Sequence, residues 1–207
     1  MRNSACFLTT VVVFLLLDGE SIAAQSSSAK TNSLAECGSA TVTAFAQTIK
    51  GILSRSEKTR ENPLDGASKD ADIRKLAANA KSAVPIVEGY LRCSPSATSS
   101  EVEIAVMILQ CLPLDAYLGF VDHLSQVNKS EAAEWGLYYA VTPTFPWSSR
   151  LALKHANARV RSTLGRVGRS PNVTPELQRI VLEILDGTTR RSLTKSPVKP
   201  LLQCGSR

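Results

Sequence analysis

Apolar residues recur along the chain at spacings of three and four, which is the period of an amphipathic helix. This pattern predicts a first helix from Ser33 to about residue 53 and a second from Ser68 to about residue 91. Pro85 lies within the second apolar stripe and is expected to kink or split that helix. The next segment, from Ser100 to Pro113, is apolar nearly all round, so its helix is predicted to be central and buried.

The second half of the chain continues the helical pattern, and no stretch shows the alternation typical of a strand. Four further helices are predicted at about residues 114–127, 130–141, 148–167 and 174–187. The expected fold is all-α, with about seven helices in antiparallel pairs and two disulfides. Residues 33–187 are predicted to form a single helical domain, followed by a basic tail at residues 188–207 that Cys204 tethers.

Three short segments open predicted helices in a similar way: Ser99-Ser100-Glu101, Lys129-Ser130-Glu131 and Thr174-Pro175-Glu176. The first two of these helices end at a proline that leads into another helix. Over residues 99–187 this organisation resembles the helix pairs of HEAT-like α-solenoids. The resemblance implies a scaffold that binds other proteins. An orthogonal helical bundle accounts for the same pattern without repeats, so both arrangements are open.

The N-terminus has the three-part pattern of an export signal. Arg2 precedes an apolar stretch at residues 5–17, and small residues follow up to Ala24. The apolar stretch is too short to span a bilayer, so residues 1–24 are predicted to be a cleaved signal peptide. Residues 25–32 are Ser-rich and are expected to be a disordered leader. The mature protein is therefore expected to be secreted or periplasmic, with no transmembrane segment.

Four cysteines remain after removal of the signal peptide, and an even number in an exported chain predicts two disulfides. Of the three possible pairings, an antiparallel hairpin of the first two helices favours Cys37–Cys93, because the start of one helix then lies beside the end of the other. That pairing leaves Cys111 to bond Cys204. There is no Cys-x-x-Cys motif and no Cys/His cluster at zinc spacing, so neither a metal nor a cofactor is expected.

Charge is distributed unevenly between the two parts of the chain. Residues 25–139 carry 11 Lys/Arg and 13 Asp/Glu, a net charge of −2, whereas residues 140–207 carry 12 Lys/Arg and three acids, a net charge of +9. On the predicted helix at residues 148–167, Arg150, Lys154 and Arg161 border one side of the apolar stripe and are candidates for binding an anionic partner. The alternative is a solvated face that the acidic half partly neutralises. Nucleic acid is not expected, because aromatic residues are not interleaved with these charges and an exported protein is in the wrong compartment.

Aromatic residues are concentrated beside this basic helix. Five of the 11 aromatic residues of the chain lie within residues 135–147, around a turn that contains two prolines. Such a group can line a groove for a peptide or a sugar, and it can equally lock a helix corner. The candidate binding residues in this group are Trp135, Tyr139, Phe145 and Trp147.

No established catalytic motif occurs, and no residue is assigned to catalysis. The main hypothesis is an exported, non-catalytic binding or scaffold protein that uses the basic helix and the aromatic turn to bind an anionic or protein partner. One alternative is a small secreted hydrolase in which His123 acts with Asp115 or Asp122. Another is an inhibitor or effector that inserts the stiff turn at residues 142–147 into a second protein.

Overall fold

A computed structural model of the chain describes residues 37, 39–127, 130–193, 201, 202 and 204. The predicted signal peptide at residues 1–24 and the leader at residues 25–32 lie outside this part. All regular structure in the described residues is helical, which confirms the predicted all-α class. There are eleven α-helices in this part where about seven were expected, because two predicted helices are each divided and short helices form at residues 63–69 and 188–193, where none was predicted.

The first half of the fold consists of five helices and a short 3-10 segment. They are α1 (Ala40–Thr59), α2 (Pro63–Lys69), α3 (Ala71–Ala78), α4 (Ala80–Cys93), α5 (Ser99–Met107) and the 3-10 segment Ile108–Cys111. The second half is formed by α6 (Leu114–Val127), α7 (Glu131–Val141), α8 (Ser149–Leu153), α9 (Ala158–Val167), α10 (Pro175–Leu185) and α11 (Thr188–Leu193). None of the described helices is both long enough and apolar enough to cross a membrane.

Two of the predicted helices are divided at asparagines. Asn79 leaves the helical conformation between α3 and α4, with φ −113° and ψ 43°. The helix α4 then continues through Pro85, so the break lies six residues before the proline that was expected to cause it. The predicted basic helix is divided before Asn157, whose side chain accepts hydrogen bonds from the N–H groups of Arg159 and Val160 at the start of α9. Asparagine favours such positions because its short side chain bonds nearby backbone groups.

The helix α5 lies at the centre of the fold, as its all-round apolar pattern predicts. A capping box between Thr98 and Glu101 begins it, and the residues from Ile104 to Leu109 are completely buried. Helices α1, α2, α4 and α7 all contact it. Because helices far apart in the chain converge on one central helix, the packing favours the bundle over a linear stack of repeats.

Both predicted disulfides are confirmed. Cys37 bonds Cys93 and Cys111 bonds Cys204, each with a Cα–Cα distance of 5.2 Å. The first bond joins the chain just before α1 to the last residue of α4, and these helices pack on each other. The antiparallel arrangement of the first helices, which the prediction assumed, therefore brings the paired cysteines together.

Residues beyond 187 pack on the domain at two places in the described part. The helix α11 buries Leu193, and Leu202 is also buried. The side chain of Gln110 donates from Nε2 to the carbonyl oxygen of Leu202 at 2.5 Å and accepts at Oε1 from the N–H of Leu201 at 3.3 Å. These bonds lie beside Cys111, so the disulfide to Cys204 and the two hydrogen bonds hold the end of the chain against the 3-10 segment.

Candidate binding surfaces of the C-terminal half

Arg150 points into the fold rather than onto the expected basic surface. Its Nη1 donates to the carbonyl oxygen of Leu112 at 2.6 Å, and its Nη2 donates to that of Leu109 at 3.1 Å. The guanidinium carbon lies 3.8 Å from the centre of the Tyr117 ring. Arg150 therefore satisfies backbone carbonyls at the end of the central helix. Its charge is thus used inside the fold, where the sequence pattern had suggested a surface that binds a partner.

Three of the candidate aromatic residues lock the corner between α7 and α8. Trp147 is buried, and its Nε1 donates to the carbonyl oxygen of Tyr139 at 3.0 Å. Phe145 stacks on Trp147 with a centroid distance of 5.3 Å and meets Tyr139 edge-on at 5.0 Å. Ser148 further ties the turn by donating to the carbonyl oxygen of Thr142. The turn is thus packed into the fold, and of the four candidates only Trp135 lies outside this corner.

A group of exposed basic residues lies where α8, α9, α10 and α11 meet. Lys154 ends α8, and Arg161 of α9 donates from Nη1 to the carbonyl oxygen of Leu185 at 3.1 Å. The helix α11 packs against α8 and α10 and carries exposed Arg190 and Arg191. We call Lys154, Arg161, Arg190 and Arg191 the C-terminal basic surface. Two of the three basic residues expected to bind a partner, Lys154 and Arg161, belong to it.

Other arginines of α9 are neutralised by the acidic half of the chain. Arg159 pairs with Asp115 at 2.5 Å, and Arg166 pairs with Asp122 at 2.7 Å. The hydrogen bond to Asp122, together with the charge of that carboxylate, raises the pKa of Arg166. On α9, Arg159 and Arg166 therefore pair with α6, whereas Arg161 is exposed and bonds the end of α10.

One acid, Asp186, lies beside the C-terminal basic surface and bonds Thr188, two residues further along the chain. Its Oδ1 accepts from the N–H and the hydroxyl of Thr188 at the start of α11. These bonds lower its pKa, and the charges of Arg191 and His155 lower it further. Within the described part of the chain, Lys154, Arg161 and Arg190 take part in no ion pair. The surface therefore keeps a net positive charge.

The histidine proposed for hydrolysis is exposed, and its two expected partners pair with arginines. His123 is exposed on α6, while Asp122 accepts from Arg166 and Asp115 pairs with Arg159. The other histidine, His155, is half-buried, with its Nδ1 3.0 Å from the carbonyl oxygen of Ala152. In the part of the chain that the structure describes, no group of three or more His, Cys, Asp and Glu side chains could hold a metal ion.

A second surface, which the sequence reasoning missed, lies between the starts of α7 and α10. It is a cleft of about 300 Å³ lined by two aromatic rings and three carboxylates, together with Thr174 and Leu177. The five side chains that distinguish it are those of Glu131, Glu134, Trp135, Tyr138 and Glu176. Only Trp135 among them was a candidate. Glu134 and Glu131 lie one and four residues before it, and at helical spacing this pattern could have indicated that the acids and the ring share a face.

The chain matches no protein-family model, no curated protein and no solved structure.

Proposed function

We propose that the protein is an exported, non-catalytic binding protein that holds an anionic partner on its C-terminal basic surface. The observation that carries this proposal is the contrast between two sets of cations. Arg159 and Arg166 are paired with acids of α6, whereas Lys154, Arg161 and Arg190 have no acidic partner within the described residues. Unneutralised cations gathered from three helices attract anions and concentrate them near the surface.

Arg161 is held in position for this task. Its Nη1 bonds the last carbonyl oxygen of α10, where the helix dipole favours a cation. A guanidinium has five N–H groups, so this bond leaves other donors for a sulfate, phosphate or carboxylate oxygen. A fixed arginine loses less side-chain entropy on binding than a mobile one.

The proposed partner is an extended anionic polymer outside the cytoplasm. Two disulfides are typical of proteins that fold in oxidising compartments, and the N-terminal pattern predicts secretion or a periplasmic location. The cations are exposed and come from separate helices, so no single enclosed pocket selects a small anion. A polymer with repeated charges can contact several of them at once.

Retention on immobilised heparin, used as a model polyanion, tests the proposal. The variant Lys154→Glu/Arg161→Glu/Arg190→Glu is expected to lose about tenfold or more in affinity, since each exposed charge contributes about 0.2–1 kcal/mol and is here reversed. The matched control reverses three exposed cations of the first half, Lys50, Lys58 and Arg74. Both variants change the net charge equally, so an equal loss in the control would refute a localised surface. Far-UV circular dichroism checks that each variant is folded.

A further inference from the structure

We propose that the cleft between α7 and α10 binds an arginine side chain of a polypeptide partner. This site is separate from the C-terminal basic surface and has the opposite charge. Its ligand is inferred from the aromatic rings, the carboxylates and the size of the cleft.

Two aromatic rings form adjoining walls of the cleft. The rings of Trp135 and Tyr138 have centroids 5.7 Å apart and are inclined at 83°. Trp135 also stacks on Tyr139, at 6.0 Å and 28°, which supports it from within the fold. Trp135 and Tyr138 are both only partly buried, so ring surface faces solvent at the cleft. The face of an aromatic ring attracts a cation, and tryptophan does so most strongly.

Three carboxylates surround these rings. Glu131 and Glu134 lie in the first turn of α7, and Glu176 lies in the first turn of α10. Within the described residues none of the three takes part in an ion pair, although the chain has 24 Lys and Arg against 18 Asp and Glu. The two helix starts add roughly half a positive charge each. Three carboxylates outweigh that contribution, so the cleft remains net negative.

The geometry favours an organic cation over a metal ion. The cleft measures about 300 Å³, and the three carboxylates do not form a group that could hold a metal. Such a volume is at the small end of ligand sites and suits one inserted side chain rather than a large cofactor.

Among organic cations, a guanidinium uses both features of the cleft. Its plane stacks on an aromatic face, while its N–H groups donate in pairs to carboxylates. A quaternary ammonium can use the rings but has no N–H to donate. A lysine ammonium can pair with a carboxylate, but it lacks the planar fork. The combination of Trp135, Tyr138 and the three glutamates therefore fits arginine best.

Tryptophan fluorescence provides a direct test with the peptide acetyl-Gly-Arg-Gly-amide. The chain has two tryptophans, and only Trp135 lies at the cleft, because Trp147 is 1% exposed within the helix corner. The arginine peptide is expected to change the emission in a saturable way. The same peptide with lysine, and tetramethylammonium chloride, are expected to bind at least about threefold more weakly. The lysine ammonium has no plane to stack on a ring and cannot donate as a fork, and tetramethylammonium has no N–H to donate.

Substitution of the acids separates this site from general charge attraction. Glu131→Gln/Glu134→Gln is expected to weaken binding of the arginine peptide about fivefold or more. The matched control, Glu57→Gln/Asp65→Asn, removes two exposed acids from α1 and α2 and is expected to bind as the unmodified protein does. An equal loss in both variants, or equal binding of all three ligands, would overturn the proposal. All four positions are exposed, so the fold is expected to tolerate these changes.

Discussion

Replacing Arg150 with methionine is expected to lower the free energy of unfolding by about 3 kcal/mol. The substitution keeps much of the apolar stem but removes donors from the carbonyl oxygens of Leu109 and Leu112. Both leucines are buried, so water cannot readily replace the lost bonds. The carbonyl oxygen of Leu109 still accepts from the N–H of Leu112, so the main loss is at the carbonyl oxygen of Leu112. One buried acceptor left without a partner costs about 1–3 kcal/mol, and a lost cation–π contact with Tyr117 costs about 0.5–2 kcal/mol. The two ranges together span about 1.5–5 kcal/mol. Both interactions belong to one network and do not simply add, so we expect a loss near the middle of that range rather than at its upper end.

Urea unfolding followed by far-UV circular dichroism, with both disulfides intact, measures this effect. Lys154→Met is the matched control, because it removes the same charge four residues later from an exposed side chain. Its expected change is within about 0.5 kcal/mol. Arg150→Lys is expected to fall between the two, since an ammonium keeps the charge but cannot donate through a planar fork.

Lys154→Met and Arg150→Met are also expected to differ in their effects on binding and on stability. Lys154→Met should weaken retention on heparin without loss of stability, and Arg150→Met should lose stability. If Arg150→Met is as stable as Lys154→Met, the interior role assigned to this arginine is wrong. If it also weakens retention at temperatures where it is fully folded, Arg150 contributes to the binding surface after all.

Three further changes test other parts of the fold. Burial raises the pKa of Glu103, so its ionised form destabilises the fold. Glu103→Gln should therefore raise the melting temperature at pH 7. This gain should disappear below pH 4.5, the ordinary pKa of the group, because the carboxyl is then protonated in both the folded and the unfolded chain. Gly187 has φ 80°, and a Cβ there would lie 2.9 Å from Nε2 of His155, so Gly187→Ala should cost about 1–2 kcal/mol in urea unfolding. Replacing Cys111 and Cys204 with serine should cost about 3–5 kcal/mol by the same measurement, because the bond closes a long loop.

Each of these expectations has a result that contradicts it. For Glu103→Gln, it is a gain that persists unchanged at pH 3.5. For Gly187→Ala, it is an unfolding free energy no lower than that of Gly119→Ala. Gly119 lies in α6, where an added Cβ meets nothing within 4 Å and stability should not fall. For the cysteine pair, it is an unfolding free energy equal to that of the unmodified protein in its oxidised form.

The sequence predicted best those parts of the fold for which its pattern allows only one arrangement. The segment from Val102 to Leu112 is apolar nearly all round, and only a central position removes most of its surface from water. The disulfide pairing followed from the order of the first helices, because consecutive antiparallel helices place Cys37 beside Cys93. These predictions needed no knowledge of side-chain direction.

Features that depend on side-chain direction or on long-range packing could not be predicted from the sequence pattern. Arg150 borders an apolar stripe, and such a position suits both an arginine that reaches out to water and one that turns inward. The break before Asn157 turned α8 and α9 into separate helices, so a single helical wheel could not place their arginines together. The acidic cleft joins residues about 40 positions apart, and only the packing of α7 on α10 brings them together.

The two disulfides also decide what a protease can release. One bond closes residues 37–93 into a ring and the other closes residues 111–204, so a single cut inside either ring leaves its two ends covalently joined. Between the rings, residues 99–110 are mostly buried, but the turn at residues 94–98 includes exposed Pro95 and Ser96. A cut in that turn separates the two rings on a non-reducing gel. Limited digestion should therefore yield either one apparently intact band or two disulfide-closed halves.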